Sequence, residues 1–515
     1  MTRRARQKTA AFEWRAIRAM ALAVTPLVGI PSMALAQSDG SGRTWTLSPA
    51  ASLRQTLTDN YQASSDGESD AITQATVSVR LLGTGSRVRG SLEYSLSSLL
   101  YARHSEENDL QNTLNGVGTA ELVDNWAFVD LAGSISQQQI SAFGPTATDP
   151  SLASGNRSET RTFSVSPYIQ GELGSLARYE ARLNYGVNRS SSFSAANSKS
   201  TGGRLSLRGG DTQRTLAWSM SASRDTVDYD SGTSTETDTL RGTLSYPLMS
   251  SLVLTGIGGT EWTDLQSPEK KSYEIAGLQL DWVPSERTKL SARYEKRFFG
   301  SSHAVSFTFR TPRTVWNFID SRDVSTGGPN GRSGGITVYD LLFQQFASAE
   351  PDLLRRDLLV REVIAIYGLN PNSTAIPGFL TASPTLQRVQ SLSLALMGIR
   401  STVVFQATRT SSRQLQRATD TGDDFGASNS VHQRGFNANW SHRLTQQSSI
   451  NTTLGWVRST GEFSSQRTSV RSLSAGWTTR LSPRADLGVS ARYSQSSGTT
   501  QFTERALIAN FGYQF

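Results

Sequence analysis

The chain reads as an all-β protein: one large antiparallel transmembrane β-barrel of about 22 strands, two more or two fewer, with a single α-helical insertion in a long loop. Three observations predict it. From Trp45 onward the sequence falls into runs of roughly 9 to 14 residues with period-two alternation, the length a tilted strand needs to cross a bilayer. The links between runs alternate between tight and long, as periplasmic turns and extracellular loops do. The last run, FTERALIANFGYQF from Phe502, sets Leu507, Ala509, Phe511, Tyr513 and Phe515 on one face against Asn510, Gly512 and Gln514, so its two faces meet different solvents.

Composition narrows the classes further. A chain of 515 residues exceeds one ordinary soluble core, a limit that a closed barrel escapes. Its 37% apolar content is low for a helical membrane protein, and no mature segment offers the ~18 to 20 uninterrupted apolar residues of a spanning helix. A barrel hides from that scan, because only alternate residues face lipid. With no cysteine, thiol catalysis, thiolate metal sites and disulfides are excluded.

Taken in order, residues 1–36 read as an export signal. Arg3, Arg4, Arg6, Lys8, Arg15 and Arg18 form a basic region, Ala19 to Ile30 is apolar, and Ala34-Leu35-Ala36 is a small-x-small cleavage site before Gln37. These six bases against one acid, Glu13, account for five of the eight net positive charges, so the basic balance says nothing for nucleic-acid binding. The barrel then spans residues 45–515. Its tight turns are expected at Gly83 to Ser86, Val123 to Asn125, Gly174 to Ser175, Gly209 to Gln213, Met249 to Ser251, Pro284 to Arg287, Thr311 to Thr314, Gly398 to Ser401, Thr445 to Ser448 and Ser482 to Ala485. An even strand number places both ends in the periplasm.

The strand faces split cleanly. Leu216, Trp218, Met220 and Ala222 oppose Ala217, Ser219 and Ser221, and Leu487, Val489, Ala491 and Tyr493 oppose Gly488, Ser490 and Arg492. The polar faces are too hydrophilic for a sandwich interior and suit a watery lumen. Trp45, Tyr101, Trp126, Trp282, Trp316 and Trp456 fall near strand ends, where aromatic rings sit at headgroup depth.

One region, residues 326–388, breaks the pattern. A Gly-rich stretch precedes helical spacing at Val338, Leu341, Leu342 and Phe346, and then at Leu354, Leu358, Arg361 and Ile364, with Gly368 as C-terminal cap. Strand parity puts this insertion on the extracellular side. Two amphipathic helices need a surface to bury against, so the expectation is that they fold at the mouth or in the lumen.

LSPAASLRQTLTDNY from Leu47, VRGSLEYSLSSLLYAR from Val88, RYEKRFFGSSHAVSFTFRTPRTVW from Arg293 and LMGIRSTVVFQATRTSSR from Leu396 resemble the PEP-CTERM-system-associated outer-membrane proteins, a family similar in style to the β-barrel porins. The resemblance covers most of the mature chain. It implies an outer-membrane barrel in exosortase and exopolysaccharide systems, with no reaction and no catalytic residues to carry over.

The residues themselves offer little catalytic chemistry. Ser441 and His442 are adjacent on a strand and point to opposite faces, His303 sits after a tight hairpin, and His104 lies in a loop with Glu106 and Glu107. Asp66, Glu68 and Asp70 have spacing two without further calcium-loop ligands. No metal site and no cofactor is expected. The candidate functional surface is therefore the lumen, with Arg89, Glu93, Glu180, Arg182, Asp281, Arg293, Glu295, Arg297 and Arg492 facing inward. They suit either an anionic or glycan-like solute, or a wall whose opposite charges pair. On the insertion, Arg355, Arg356 and Arg361 would form a cationic constriction, and Phe511, Tyr513 and Phe515 the signal read by the assembly machinery.

These readings leave four functions to weigh. A porin-like channel of the outer membrane, tied to polysaccharide export and meeting lipid, assembly machinery and export components as partners, fits best. A barrel with a blocked lumen that acts through its extracellular loops is the alternative. A TonB-dependent transporter of this strand number needs a plug domain ahead of the barrel, and only about eight residues separate Gln37 from Trp45. An enzyme fits least.

Overall fold

The structure is a computed structural model that describes residues 45–515 except 211–215, 233, 327–336, 347–349, 351–352, 368–370, 372–374, 377, 416–421 and 464–465. The export signal over 1–36 and the Gly368 cap lie outside the described residues.

The wall has 22 strands. The first half comprises β1 (Trp45–Thr58), β2 (Asp70–Thr84), β3 (Val88–Tyr101), β4 (Asp109–Val123), β5 (Ala127–Gln139), β6 (Arg157–Leu173), β7 (Ala177–Ser190), β8 (Ser198–Gly209), β9 (Ala217–Tyr229), β10 (Ser234–Met249) and β11 (Leu252–Thr263). The second half comprises β12 (Lys271–Ser285), β13 (Thr288–Arg297), β14 (Gly300–Arg310), β15 (Thr314–Ser325), β16 (Thr385–Met397), β17 (Ser401–Gln414), β18 (Ser430–Arg443), β19 (Ser448–Thr460), β20 (Arg467–Ser482), β21 (Ala485–Gly498) and β22 (Phe502–Gln514). Each pairs antiparallel with its neighbours in chain order, and β1 closes on β22 with Leu53 opposite Phe511 and Thr58 opposite Ala506. Closure leaves no unpaired sheet edge.

Nine of the ten tight turns fall between the strands that the sequence assigned to them, and the tenth, Gly209 to Gln213, lies mostly outside the described residues. Their chemistry explains the bends. Asn125 and Gly174 take left-handed φ values of 55° and 58°, which asparagine and glycine tolerate. The other side carries the long loops, but three of its links are short: β9–β10, β13–β14 and β21–β22, of which β13 and β14 are joined by Phe298 and Phe299 alone.

The outward residues are the large apolar ones. Leu216, Met220, Leu278, Trp282, Phe436, Trp440, Val489 and Tyr493 are all exposed, as a surface bathed in lipid tails requires. Trp45, Trp126, Trp282 and Trp316 lie exposed near strand ends as expected. Tyr101 departs from that girdle. It points inward, buried, and its hydroxyl donates to the Ser151 carbonyl at 2.7 Å, because an extracellular loop folds into the barrel there.

The insertion runs from residue 326 to 384, four residues shorter than expected, since pairing resumes at Thr385 opposite Ser325. It holds α1 (Val338–Gln345) and α2 (Leu353–Tyr367). Thr337 starts α1 with a capping box: its hydroxyl accepts from the Asp340 amide at 3.1 Å while the Asp340 carboxylate accepts from the Thr337 amide at 3.0 Å. Val338, Leu341, Leu342, Val360 and Ile364 are buried against Val315, Ala395 and Val404, which are the inward residues of β15, β16 and β17 near their tight-turn ends. The helices thus sit inside the lumen toward the periplasmic end. Burying each such side chain contributes about 1.5–3 kcal/mol, and an exposed hairpin at the mouth would forgo that. Leu358, expected on the packing face of α2, is exposed, because the face that meets the wall is centred on Val360 and Ile364.

Candidate functional site: the lumen and its two closures

Period-two geometry puts every expected wall charge inward, and the structure then pairs almost all of them. Arg182 reaches Asp130 at 2.6 Å and Glu180 at 3.0 Å, with its guanidinium 3.9 Å over the Tyr168 ring. Arg297 reaches Glu261 at 2.6 Å, and Glu295 is held by Arg241 at 2.7 Å with Arg293 at 3.5 Å. Asp281 accepts from Ser291 at 2.7 Å and Gln279 at 2.8 Å. Arg89, at the tight-turn rim, forms no ion pair among the described residues. Charges so placed neutralise one another within the wall, while Arg204 and Arg208 of β8 face the lumen exposed.

The periplasmic closure is the helical pair. Beyond its apolar contact with β15 to β17, it reaches across the lumen to the opposite strands. Asp357 pairs with Arg80 of β2 and accepts from Arg361 at 2.9 Å, while Arg361 lies 3.4 Å from Glu93 of β3. Arg356 donates to the Glu350 carbonyl at 2.8 Å and lies 4.9 Å from the Phe343 ring centre. Arg355 is exposed on the same helix. The three arginines expected at a constriction, at the mouth or in the lumen, lie on a helix inside the lumen, and Arg361 is spent on carboxylates. Asp357, which sequence reasoning missed, is the residue that turns a charged helix into a strut.

Loops close the extracellular end. The β5–β6 loop, 140–156, folds inward and its Asp149 pairs with Arg54 of β1 and Arg492 of β21. Arg492 also grips Glu504 of β22 at 2.7 Å, and Glu504 accepts from Ser494 at 2.8 Å and Thr58 at 3.1 Å. Burial pushes the Asp149 carboxyl up, but the two guanidiniums outweigh it and hold it well below the usual carboxylate range. A second contact joins this loop to α3 (Asp424–Ala427): Asp424 accepts from the Ala142 amide at 2.7 Å and from the Ser141 hydroxyl. The tail of the insertion completes the cover, the Leu380 amide donating to the Gln139 carbonyl at 2.9 Å and the Ala382 amide to Asp423 at 2.9 Å. Ala142, Phe143, Phe425 and Val431 pack beneath these bonds.

Under the cover lies a cavity of about 690 Å³. Its wall is mostly hydroxyl and amide, with Asn115, Ser134, Thr162, Asn188, Thr410 and Gln433 among its lining, and Asp149 and Arg157 at its upper edge. Such a surface offers many uncharged hydrogen-bonding groups, with charge confined to Asp149 and Arg157, which suits a polyhydroxyl solute.

The histidines do not assemble a nucleophilic site. His442 meets Ser401, and His432 meets Ser411, at 2.8 and 2.9 Å across neighbouring strands, both pairs lying on the outward face. His303 faces Asp320 at 3.1 Å. His104 bridges Asp70 and Glu68, each at 2.8 Å, and stacks on Tyr61. The hydrogen bond that its ring makes to the Asp70 carboxylate, more than that to Glu68, raises its pKa. Among the described residues no group of three or more metal-ligating side chains converges.

Arg54 and Glu504 were missed although alternation turns both inward; they stand at even positions on strands whose odd positions toward the tight-turn end, Leu47, Pro49, Ala51 and Leu53 on β1 and Leu507, Ala509 and Phe511 on β22, are apolar. Asp149 and Asp424 carried no such signal, because loop positions have no period.

No protein-family model matches this chain, and no curated protein matches it. Solved structures do. A mutant of the ferric enterobactin receptor PfeA from Pseudomonas aeruginosa matches at 10% identity over 91% of this chain and 80% of its own, with a TM-score of 0.45. The FrpB iron transporter of Neisseria meningitidis matches at 10% identity over 91% and 81%, TM-score 0.45. The siderophore receptor PirA of Acinetobacter baumannii matches at 9% identity over 91% and 80%, TM-score 0.43. The likeness is one of barrel architecture.

Proposed function

We propose that this chain is a porin-like conduit of the outer membrane that rests closed, passes a hydrophilic solute of low charge, and serves export of surface polysaccharide. The observation that carries the reading is the cavity of hydroxyls and amides beneath a polar latch, a surface made for sugar-like groups and not for packing. The sequence likeness to exopolysaccharide-associated barrels points the same way. Assembly would run through the machinery that reads Phe511, Tyr513 and Phe515, all exposed on the outer face of β22.

The apolar seat of α1 and α2 favours a second reading, a barrel whose lumen is permanently filled and which works through its loops. Single-channel conductance separates the two. The refolded barrel is compared with a variant in which residues 327–384 are replaced by a short Gly-Ser link, a change that Ser325 and Thr385 allow because they face one another. A silent or flickering parent and a steadily conducting variant are expected. Silence in both, from protein shown to be inserted and heat-modifiable, would leave the filled-barrel reading in place of the conduit.

A further inference from the structure

The outer surface of the barrel carries two kinds of charge. On β6 to β12 and the loops above them, outward charges come as neighbours of opposite sign: Arg161 with Glu159 at 2.7 Å, Arg189 with Asp230 at 3.0 Å, Arg224 with Glu236 at 2.6 Å, and Lys270 with Glu236 and Asp238 at 2.5 Å. On β16 to β20 the pattern disappears. Those five strands contain nine arginines and no aspartate, glutamate or lysine.

Register shows how the arginines stand. On β17 the even residues Val404, Gln406 and Thr408 are buried inside, so Arg409 points outward. It lies directly opposite Arg434 of β18, which lies directly opposite Arg458 of β19. The same side of β20 carries Arg471, opposite Trp456. Like charges set face to face across strands repel, and among the described residues none of these four forms an ion pair. The nearest outward carboxylate, Asp320, is already taken by Arg388 at 2.7 Å and His303 at 3.1 Å. The loop acid Glu462 accepts from the Asn429 amide.

The height of the row says what relieves that repulsion. Two residues toward the tight turns, the same strands present Ala407, Phe436 and Trp456, and two further Phe405, Ala438 and Leu454, with Phe436 and Trp456 rings 5.8 Å apart. Charge therefore begins where the lipid-facing apolar surface ends, on the side of the extracellular loops. Neighbouring strands are spaced about 4.8 Å apart, so three arginines span roughly 10 Å, room for more than one phosphate held by paired N–H donors.

We propose that Arg409, Arg434 and Arg458, extended by Arg471, form a binding row for the phosphate groups of an anionic glycolipid in the outer leaflet. A soluble anion gains nothing from the aromatic surface directly below, whereas an acylated one lays its chains on it. The proposal rests on the apolar band being embedded in the membrane and not on conduction, so a silent barrel leaves it standing.

The test uses the refolded barrel in detergent and native mass spectrometry. The probe is a bisphosphorylated, acylated disaccharide lipid, beside the same lipid without phosphates and a soluble phosphorylated saccharide without acyl chains. Retention of the phosphorylated lipid is expected. It should weaken roughly tenfold or more in the triple variant Arg409→Gln, Arg434→Gln, Arg458→Gln, shown to be folded by heat-modifiability, since three charge-assisted contacts are removed. The variant Arg161→Gln, Arg189→Gln, Arg224→Gln on the other side should bind as the parent does. Equal retention of the phosphate-free lipid, equal binding by the first triple variant, or equally tight binding of the soluble saccharide would overturn the proposal.

Discussion

The two closures of the lumen are made of opposite materials. At the tight-turn end, Val338, Leu341, Leu342, Val360 and Ile364 seat two helices on an apolar patch of the wall, and ion pairs with Arg80 and Glu93 only tie down the far side. At the extracellular end a loop is pulled in by Asp149 between two arginines, with Glu504 completing the network. Apolar burial is non-directional and indifferent to pH and salt, whereas a buried ionic latch depends on each partner being present and ionised. The difference suggests which closure answers to conditions and which is a standing part of the barrel.

Removing either closure tests that contrast most strongly. Deleting 327–384, which removes the helical pair and also the Leu380 and Ala382 contacts at the mouth, should give the largest change of all, a step in conductance, while leaving the β15–β16 ladder intact. Next comes Arg492→Ala. It leaves the buried Glu504 without a guanidinium and Asp149 with Arg54 alone, and breaking such a buried pair costs about 3–5 kcal/mol. Hydrogen exchange should show residues 140–156 opening while β20 to β22 stay protected, and an unchanged loop would mean that the Asp424 contacts suffice to hold it. Leu342→Ala in α1 should cost about 2–5 kcal/mol as a cavity mutant, read as faster exchange in both helices and none in the mouth loop. If exchange at the mouth rises as well, the two closures are coupled and the contrast fails.

Acid sharpens it further. The Asp149 carboxyl is held below its unfolded value, so its contribution is complete above the ordinary carboxylate pKa near 3.9 and fades as pH falls through the lower folded value. Proteolysis of the 140–156 loop should therefore begin only in strong acid, with the helical closure still protected. The smallest expected effect belongs to His104. Its pKa is raised by Asp70 and Glu68, so the stability it adds to the β1–β2 and β3–β4 loops is full below about 6.5 and is lost as pH rises through its folded value. Its ring resonances should titrate above the ordinary range, and Asp70→Asn should bring them down.

Much of the wall was legible because a barrel writes itself in alternation. Leu216 against Ser219, Val489 against Arg492, and turns of glycine, asparagine and proline are local signals, and local signals survive in one dimension. Alternation also sorts Arg182, Glu295 and Arg297 to the inside. What it left open was whether they stood free, since Asp130, Arg241 and Glu261 come from strands that only the sheet brings alongside. The helices of the insertion were visible in the spacing of Val338, Leu341 and Leu342, yet their depth was not. The inward positions Val315, Ala395 and Val404 are apolar, but so are others on the inner face such as Ile257, Val389 and Ile508, and only contact shows which of them seat the helices.

By itself, then, the sequence determined the strand number to within about two, the side on which most turns lie and the face on which most wall residues stand, Tyr101 excepted, because these follow from a period and from turn chemistry. Only the tertiary structure decided that a helical pair and an inward-folded loop occupy the two ends of the lumen, that Arg361 pairs with Asp357 and Glu93, and that Arg409, Arg434 and Arg458 stand abreast. Those facts depend on register between strands and on loops reaching across the barrel, distances of up to 343 residues along the chain in the case of Asp149 and Arg492, and no local pattern encodes them.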